Sequence, residues 1–439
     1  MRRPLAYTVL LISIIAYRSG NTLKNIILNK HDFPTGYYNA GNFNKDCTSF
    51  KVDGFKYCED AAFWDQYDAE KHLTERHLIV TCDPGRKSWN TVMGPLHDPK
   101  PHGGLWIYPS STAEHPKGDS EAAPKRITLS NYPEGHDFHP LGLDIWPSYG
   151  RNESNLYIVN HARHRTVIEH FLLNPSRPTV ARHIRTISSP YFLSPNSIAL
   201  TSPNAFYVSN DHLITRRLPI VGQFLPVIES ILGLPLGFVS HVTLSPDKKP
   251  IVEEHAFAAL FIPFPNGLAL LHSSSDSPVL AVASSSLAQV RLYARDPATN
   301  KLSGIKHTIP VPFAADNVRF SDDGTLFVAG HPHFPTLTAV AANKPGGPQR
   351  APSWAMSIPA GRPSQGTTSP TTFDTKAPIS AGGLVPAVQG LHPLETVFQS
   401  NGDGFSSSST VLRDDVSGAL YVSGLYAEDG VLVCRPRQK

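Results

Sequence analysis

Charged residues are scarce in this chain, since Asp, Glu, Lys and Arg make up only 17% of its 439 residues. The formal net charge is +3 and no block of Lys and Arg stands out, so the electrostatic footprint of a nucleic-acid-binding protein is missing. Long surface helices would also need more Glu and Lys than the chain has. Its 31 glycines and 40 prolines favour many short strands separated by turns. A chain of this length could form two or three domains or a single large one. The composition favours one large all-β domain.

The apolar run at the N-terminus is short. It covers residues 5–17 after Arg2 and Arg3, and about 13 residues are too few for a comfortable membrane span. A basic start before a short apolar run is typical of export, so residues 1–20 are predicted to form a signal peptide or a retained signal anchor. A buried first strand is the alternative. A secreted or membrane-anchored chain could carry a glycan on Asn152, which lies in an Asn-Glu-Ser sequon.

Cysteine is also rare, and the four residues are Cys47, Cys58, Cys82 and Cys434. Their spacing does not suggest a zinc site. An even number in an exported chain indicates two disulfides, for which three pairings exist. A bond between Cys47 and Cys434 would join the first and last parts of the fold, and one between Cys58 and Cys82 would then clip a local hairpin.

Six short runs that alternate as strands do recur along residues 40–439. They begin at His77, Leu156, Phe206, Val279, Leu326 and Leu420. Each follows another apolar strand that starts with small or polar residues, and turn signals separate the two. Six copies of strand, turn and strand predict a six-bladed β-propeller. A β-sandwich is the alternative, but it does not readily explain why polar residues recur at the same end of one strand type.

The innermost strands of a propeller all start around one central channel, so their polar residues are expected to meet at one mouth. These residues are Glu59, Asp60, Asn196, Asn266, Asp316 and Asn317. The set offers only hard oxygen ligands, which suit Ca²⁺, and its carboxylates balance the charge of the ion. Sulfur and histidine are missing from it, which argues against zinc or copper. Any one Asn could instead be a turn former where a strand begins.

At these residues the chain resembles the serum paraoxonase/arylesterase family. The similar stretches include "CEDAAF", "FHPLGLDI", "SPNSIALTSPNAFYVSNDH", "FPNGLALL", "ADNVRFSDDGTLFVAGHP" and "VLVC". The resemblance implies a six-bladed propeller with two calcium ions in a central tunnel, and a lactonase or aryl esterase activity on small-molecule substrates. A nucleophilic serine is not part of that chemistry, and the sequence has no "GxSxG" elbow.

The resemblance also assigns individual residues. It puts the ligands of the catalytic calcium at Glu59, Asn196, Asn266, Asp316 and Asn317. It puts a second, structural calcium at Asp60, the carbonyl of Leu143 and Ser197. The family has Asp where this chain has Ser197, so the second ion is expected to be weak or absent. The family's closing disulfide falls on Cys47 and Cys434.

Two histidines stand above the metal in the family. The second falls on His161, but the first falls on Leu141, which cannot transfer a proton. His139 lies two residues from Leu141 and so on the same face of an extended strand. His161 or His139 is therefore predicted to take a proton from water, and His331 matches a further tunnel histidine. The alternatives are a solvated strand-end histidine at 161 and an ordinary loop residue at 139.

Three functions remain open at this point. In the first, a calcium-dependent hydrolase, Asn196 and Asn266 are predicted to donate from their amide groups to the oxyanion. The second is a catalytically idle calcium-bound propeller that acts as a binding protein, which the missing first histidine favours. The third is a propeller of the strictosidine-synthase or gluconolactonase type.

Two further segments depart from the repeat. Residues 334–393 are rich in Pro, Ser, Thr and Gly, which predicts a long mobile insertion between the fifth and sixth repeats. Residues 219–237 are apolar at helical spacing and predict a helix. It would either pack on the top of the propeller or act as a lid or lipid-contacting helix near the tunnel mouth.

Overall fold

Short antiparallel strands make up most of the fold. The computed structural model describes residues 7–10, 13, 17, 19–20, 22–112, 122–247, 249, 251–271, 278–359, 374–385 and 393–437. Helices with defined ends in this part of the chain are few and short: α1 (Phe43–Asp46), α2 (Leu225–Ile231) and α3 (Phe334–Ala342). Single helical turns of other types cover Leu23–Leu28, Val221–Gln223, Ser285–Leu287 and Ala381–Gly383. The mostly β character predicted from composition is confirmed.

The strands form six antiparallel groups in chain order, after two short N-terminal strands, β1 (Tyr37–Tyr38) and β2 (Cys47–Ser49). The first group comprises β3 (Cys58–Tyr67), β4 (Leu73–Cys82), β5 (Gly104–Thr112) and β6 (Lys125–Ser130), and the second comprises β7 (Pro140–Ile145), β9 (Ser154–Asn160), β10 (Val167–Leu173) and β11 (Val180–Ile187). The short strand β8 (Ser148–Tyr149) follows β7 in the chain but pairs in parallel with β3. The next two comprise β12 (Pro195–Ser202), β13 (Ala205–Asn210), β14 (Gly237–Leu244), β15 (Val252–Ile262), and then β16 (Pro265–Leu271), β17 (Val279–Ser284), β18 (Gln289–Arg295), β19 (Leu302–Pro310). The last two comprise β20 (Ala314–Phe320), β21 (Leu326–His331), β22 (Ser353–Ile358), β23 (Glu395–Ser400), and then β24 (Ser408–Arg413), β25 (Leu420–Gly424), β26 (Val431–Cys434).

Each pair of strands that the sequence repeat predicts is an antiparallel pair in the structure. The pairs are β3–β4, β7–β9, β12–β13, β16–β17, β20–β21 and β24–β25. Further strands extend each pair outward. Narrow pairings link the first, second and sixth groups into one sheet: β6 runs parallel to β11, and β25 meets β3 at Gly424 and Cys58.

The first strands of the six groups contact one another in sequence, and β24 contacts β3 to complete the circle. Close approach at this centre requires glycine. A Cβ on Gly267 would lie 2.5 Å from Cα of Asn317, and one on Gly142 would lie 2.3 Å from the carbonyl oxygen of Asn196. No side chain fits at either distance, so these two glycines allow neighbouring first strands to meet.

The N-terminal strand β2 completes the last group by pairing with β26. Cys47 lies opposite Cys434 in this pairing and forms a disulfide with it across 387 residues of sequence. Cys58 and Cys82 are likewise opposite each other on β3 and β4, and they form the second disulfide. Both disulfides are those predicted. In the chain-entropy account, the long-range bridge stabilises the fold by restricting the unfolded chain.

The predicted insertion 334–393 is partly wrong. The described part of it contains α3 and also β22, which pairs with both β21 and β23. Trp354 and Met356 of β22 are fully buried in the core, and these apolar positions were hidden by the average composition of the segment. The remainder of this prediction, residues 360–373 and 386–392, lies outside the described residues.

The predicted export signal lies mostly outside the described residues as well, because 12 of residues 1–20 are not described. Within the part of the chain that the structure describes, no helix combines the length and apolar character needed to cross a membrane. The signal or anchor at residues 1–20 stays a prediction.

The helix predicted within 219–237 is present but short. Pro226 lies in the first turn of α2, where a missing N–H group is tolerated. The buried carboxylate of Glu229 accepts hydrogen bonds from the backbone N–H groups of Leu213 and Ile214 and so ties α2 to the chain that precedes it. Phe224, just ahead of the helix, is nevertheless 62% exposed. The segment therefore packs only in part and leaves apolar surface uncovered.

One buried carboxylate organises the second group of strands. Glu169 on β10 is fully buried and accepts hydrogen bonds from His136 at 2.8 Å, His183 at 3.0 Å, Thr186 at 2.7 Å and Asn160 at 2.8 Å. Burial raises the pKa of Glu169, but these donors together lower it to about 2. The ionised form is therefore the one that the fold stabilises.

We expect Glu169→Gln to lower the free energy of unfolding by about 3–5 kcal/mol, because a neutral amide cannot accept from all these buried donors. The pKa falls from 4.5 to about 2 on folding, so the stabilisation is complete above about pH 4.5 and is lost as the pH approaches 2. Thermal unfolding across this range checks it. Glu153→Gln is the control, since Glu153 pairs with Arg182 at the surface and its loss should cost at most about 1 kcal/mol. Equal effects of the two substitutions at neutral pH would contradict the prediction.

Candidate metal centre

The polar residues predicted to converge lie at the starts of the first strands. Glu59 is the second residue of β3, and Asn196 and Asn266 are the second residues of β12 and β16. Asp316 and Asn317 lie in the first half of β20. The pairing register shifts at each of these positions, so every one of these strands carries a β-bulge or similar irregularity there. Such irregularities re-aim side chains out of the regular alternation.

Four buried oxygen atoms of this set have no hydrogen-bond partner. They are Oε2 of Glu59 and the Oδ1 atoms of Asn196, Asn266 and Asn317. All four residues are at most 6% exposed. A buried oxygen without a partner is costly and uncommon, and a cluster of four needs a specific explanation such as a bound ion.

The amide nitrogens explain why the oxygens are free. Asn196 donates from Nδ2 to Oδ2 of Asp211 at 3.1 Å, and Asn266 donates to Oγ of Ser285 at 3.2 Å. An ionised carboxylate only accepts, so Asp211 fixes the orientation of the Asn196 amide. Burial raises the pKa of Asp211, but His212 and Asn196 lower it overall and keep the carboxylate ionised. These contacts do not favour the predicted role of Asn196 and Asn266 as donors to an oxyanion, because their oxygens are the atoms left without partners.

The two carboxylates of the set differ in their surroundings. Burial raises the pKa of Glu59 well above its usual value, and the nearby charges of Asp60 and Asp316 raise it further. Asp316 accepts a hydrogen bond from Nε2 of His331 at 2.8 Å. Asn317 donates to Glu59 at 2.9 Å. The centre thus concentrates negative charge and oxygen lone pairs where a cation would relieve the repulsion.

This donor set fits a hard cation. Within the described residues, no group of three or more His, Cys, Asp or Glu side chains could hold a metal. The candidate centre instead combines two carboxylates with three amides, and oxygen-only sets of this kind suit Ca²⁺. The residues that could hold such an ion are Glu59, Asn196, Asn266, Asp316 and Asn317, and their role as its ligands stays a prediction.

The predicted second calcium site does not fit an ion. Oδ2 of Asp60 accepts a hydrogen bond from Nη2 of Arg319 at 2.6 Å, and the carbonyl oxygen of Leu143 accepts from the same nitrogen at 3.1 Å. Oγ of Ser197 accepts from the backbone N–H group of Leu268 at 3.1 Å. None of these oxygens lacks a partner. Asp60 and Leu143 lie together, since the backbone N–H group of Leu143 donates to Asp60 at 3.1 Å, but a guanidinium group already contacts the carboxylate and the carbonyl.

A cavity of about 50 Å³ adjoins the candidate centre, with room for an ion and a few waters. Its lining includes Glu59, Asn196, Asn266 and Asp316 of the candidate centre and, beside them, Leu141, Arg86 and His331. Leu141 therefore lies at the cavity, as its position in the family predicts. Arg86 is buried, donates to the carbonyl of Pro140 at 3.1 Å, and its charge lowers the pKa of the nearby Glu59.

The predicted proton-transfer histidines do not line this cavity. His161 contacts the hydroxyl of Thr91 through Nδ1 and the carbonyl of Pro195 through Nε2, at 2.5 and 2.9 Å. Burial lowers its pKa to about 4, so the ring is neutral near pH 7. His139 contacts Asp83 at 2.9 Å and the carbonyl of Pro99 at 3.0 Å. All four ring nitrogens are engaged, and these contacts do not support a role as general base for either residue.

A model of the arylesterase family matches residues 106–349, which is more than half of the chain. The chain belongs to the arylesterase family. It is 27% identical over 209 residues to canine serum paraoxonase/arylesterase 2, covering 47% of this chain and 53% of that protein. It is 26% identical over 211 residues to mouse serum paraoxonase/arylesterase 1, covering 48% and 54%. The matches thus span about half the length of these relatives. A solved gluconolactonase from Xanthomonas campestris is 13% identical, with a TM-score of 0.41 and coverage of 93% and 99%.

Several residues around the centre of this arylesterase-family chain were missed from sequence. Asp211 and His212 stand in the "NDH" stretch that carries part of the family resemblance, but no role was predicted for them. Ser285 and Arg319 carried no signal, because their importance depends on which atoms lie opposite them in space. Arg86 lies in the turn after β4 and was likewise not predicted.

We expect Asp211→Asn to weaken metal binding at this centre by about 10- to 100-fold. An amide at 211 can donate as well as accept, so it no longer forces the oxygen of Asn196 away from itself. Calorimetric titration of Ca²⁺ into the metal-free protein measures the effect. Asp296→Asn is the matched control at an exposed turn, and an equal loss in both variants would contradict this role of Asp211.

Proposed function

We propose that this chain hydrolyses lactones or aryl esters with one Ca²⁺ held at the candidate metal centre. The observation that carries the proposal is the cluster of four buried oxygens without partners on Glu59, Asn196, Asn266 and Asn317. Three of these residues line one cavity together with the carboxylate of Asp316. Membership of the arylesterase family supports a hydrolytic activity of this type.

In the proposed mechanism, Glu59, Asn196, Asn266, Asp316 and Asn317 hold the ion by their side-chain oxygens. Bound there, Ca²⁺ supplies Lewis-acid polarisation of a substrate carbonyl and stabilisation of the negative charge that develops on its oxygen. Asp211 and Ser285 keep the amide nitrogens of two ligands turned away, so that oxygens face the ion. The apolar side chain of Leu141 offers a surface to the body of the substrate.

His331 is the proposed proton acceptor in place of His161 and His139. Its hydrogen bond to the Asp316 carboxylate places the proton of the neutral ring on Nε2, which leaves a lone pair on Nδ1. That nitrogen is buried and has no partner, and the residue lines the cavity. A histidine oriented by a carboxylate, with its second nitrogen free, can take a proton from an attacking water. Asp316 would then serve both the ion and the orientation of the base.

A six-bladed propeller is the architecture that we propose for this function. Six groups of strands in chain order, and contacts between successive first strands that return from β24 to β3, support that interpretation. The start of each first strand would then open on a central tunnel, and the metal centre would lie at one mouth of it.

A second candidate function is a calcium-bound binding protein without catalytic activity. Leu141 favours it, because this residue lines the cavity at the position where the family has a histidine, and the histidines nearby in sequence are engaged elsewhere. The two candidates share the ion and differ only in turnover.

Passage through the secretory pathway fits the proposed function. Two disulfides form and persist in oxidising compartments, and Asn152 is exposed, as a glycosylated residue must be. We propose a secreted or membrane-anchored protein, with the exposed apolar residues of 219–237 as a surface for lipid contact.

We expect Asn266→Ala to abolish hydrolysis through loss or misplacement of the ion, and a chelator to do the same to the wild type. His331→Gln should reduce kcat by about 10²- to 10⁴-fold, the usual contribution of a general base. His161→Gln serves as the matched control and should lose much less. Rates on a lactone and on phenyl acetate measure these effects. A wild type that binds Ca²⁺ yet turns over neither substrate would favour the binding protein, and a larger loss in His161→Gln than in His331→Gln would refute the assigned base.

The family has a histidine where this chain has Leu141, so a histidine placed there tests whether this position of the cavity can contribute to proton transfer. We expect Leu141→His to raise the turnover of aryl esters, since it adds a second group beside the centre that can move a proton. Leu141→Gln is the control of similar polarity that cannot act as a base near neutral pH. Equal rates in the two variants would show that position 141 contributes no proton transfer.

A further inference from the structure

Arg319 is a buried cation at the heart of the fold. It lies on β20, two residues after the candidate metal ligand Asn317. Only 9% of Arg319 is exposed. A guanidinium in such surroundings needs acceptors for its donors, because it remains charged.

The acceptors come from three other first strands. Asp60 and the carbonyl of Leu143 accept from Nη2 at 2.6 and 3.1 Å. The carbonyl of Leu268 accepts from Nη1 at 3.3 Å, and the carbonyl of Ala61 accepts from Nε at 3.0 Å. One side chain of β20 therefore joins β3, β7 and β16, as a central metal ion with ligands from several strands would do.

Hydrogen bonding distinguishes the surroundings of Arg319 and Asp60 from the neighbouring candidate metal centre. Glu59, Asn196, Asn266 and Asn317 each keep an oxygen without a partner, whereas Asp60 and Ser197 do not. The charges also balance without a metal, since Arg319 faces one carboxylate. Ser197, where the family has a second carboxylate, contributes none.

We infer that the guanidinium of Arg319 takes the place of a second metal ion at the centre of the ring of first strands, which is formed by β3, β7, β12, β16, β20 and β24. As part of the chain, this cation stays in place whether or not metal is bound. The chain then binds one ion rather than two, and the part of the ring around Asp60 stays intact when metal is withdrawn. Arg319 also acts on the metal centre as a positioning residue. The hydroxyl of Thr410 donates to Asp60 at 2.9 Å and accepts from the amide of Asn317 at 3.0 Å, which links the ion pair to a metal ligand.

Metal-free protein gives the first test. Arg319→Ser leaves the buried carboxylate of Asp60 without its cation, and we expect its thermal midpoint to fall by about 3–5 °C. The matched control is Arg350→Ser, which breaks an ion pair with Asp403 in which both side chains are more than half exposed, and its midpoint should move by about 1 °C or less. Equal midpoints for Arg319→Ser and the wild type would overturn the inference.

The number of bound ions gives the second test. Titration with Ca²⁺ alone should find one site in the wild type and two in the double variant Arg319→Ser/Ser197→Asp, which removes the guanidinium and supplies a second carboxylate. Calcium should also raise the midpoint of the double variant more than that of the wild type. Two sites in the wild type, or only one in the double variant, would overturn the inference.

A further experiment applies if Arg319→Ser does not fold without metal. The double variant is then prepared in Ca²⁺ and treated with a chelator. Unfolding of the double variant on removal of Ca²⁺ supports the inference, and a double variant that stays folded contradicts it.

A wild type that binds no calcium at all would refute the proposed function. The inference about Arg319 would then stand or fall on the melting of the metal-free proteins, so the two failures are distinguishable.

Discussion

Oxygen atoms crowded at the centre of the ring of first strands are the constraint on which the rest of the structure depends. Six strands that start close together bring their polar ends into one buried volume, where carboxylates repel each other and amide oxygens lose their water. At Asp60 the chain supplies its own guanidinium, from Arg319. Around Glu59 it leaves four oxygens without partners, where we propose that a calcium ion binds.

The surroundings of the centre are arranged around the same need. Asp211 and Ser285 hold the amide nitrogens of Asn196 and Asn266 on the side away from the free oxygens. Gly142 and Gly267 allow neighbouring first strands to approach each other closely beside Asn196 and Asn317. A Cβ at either glycine would push the strands apart. Glycine is therefore needed at these two positions if the polar residues at the starts of the strands are to lie close together.

Much of this could be predicted from the sequence. The strand pairs were visible because apolar alternation and turn residues are local properties. The candidate ligands were visible because the stretches around Asn196 and Asn266 resemble the family. The features that could not be predicted depend on contacts between residues that are distant in the sequence. The bulges that turn the ligands inward, the partners of His161 and His139, and the contact of Arg319 with Asp60 involve residues far apart in sequence. The strand at Ser353–Ile358 was missed for a different reason, since a short buried strand stood within a segment whose average composition resembles a linker.

The pairing of β2 with β26 bears on how the chain is made. Residues 47–49 leave the ribosome early, but their partner strand follows only after almost 390 further residues. Until β26 has been made, the last group is therefore incomplete and β2 lacks its partner strand. The Cys47–Cys434 disulfide can form only after that, and it needs an oxidising environment at the time when the last strand arrives.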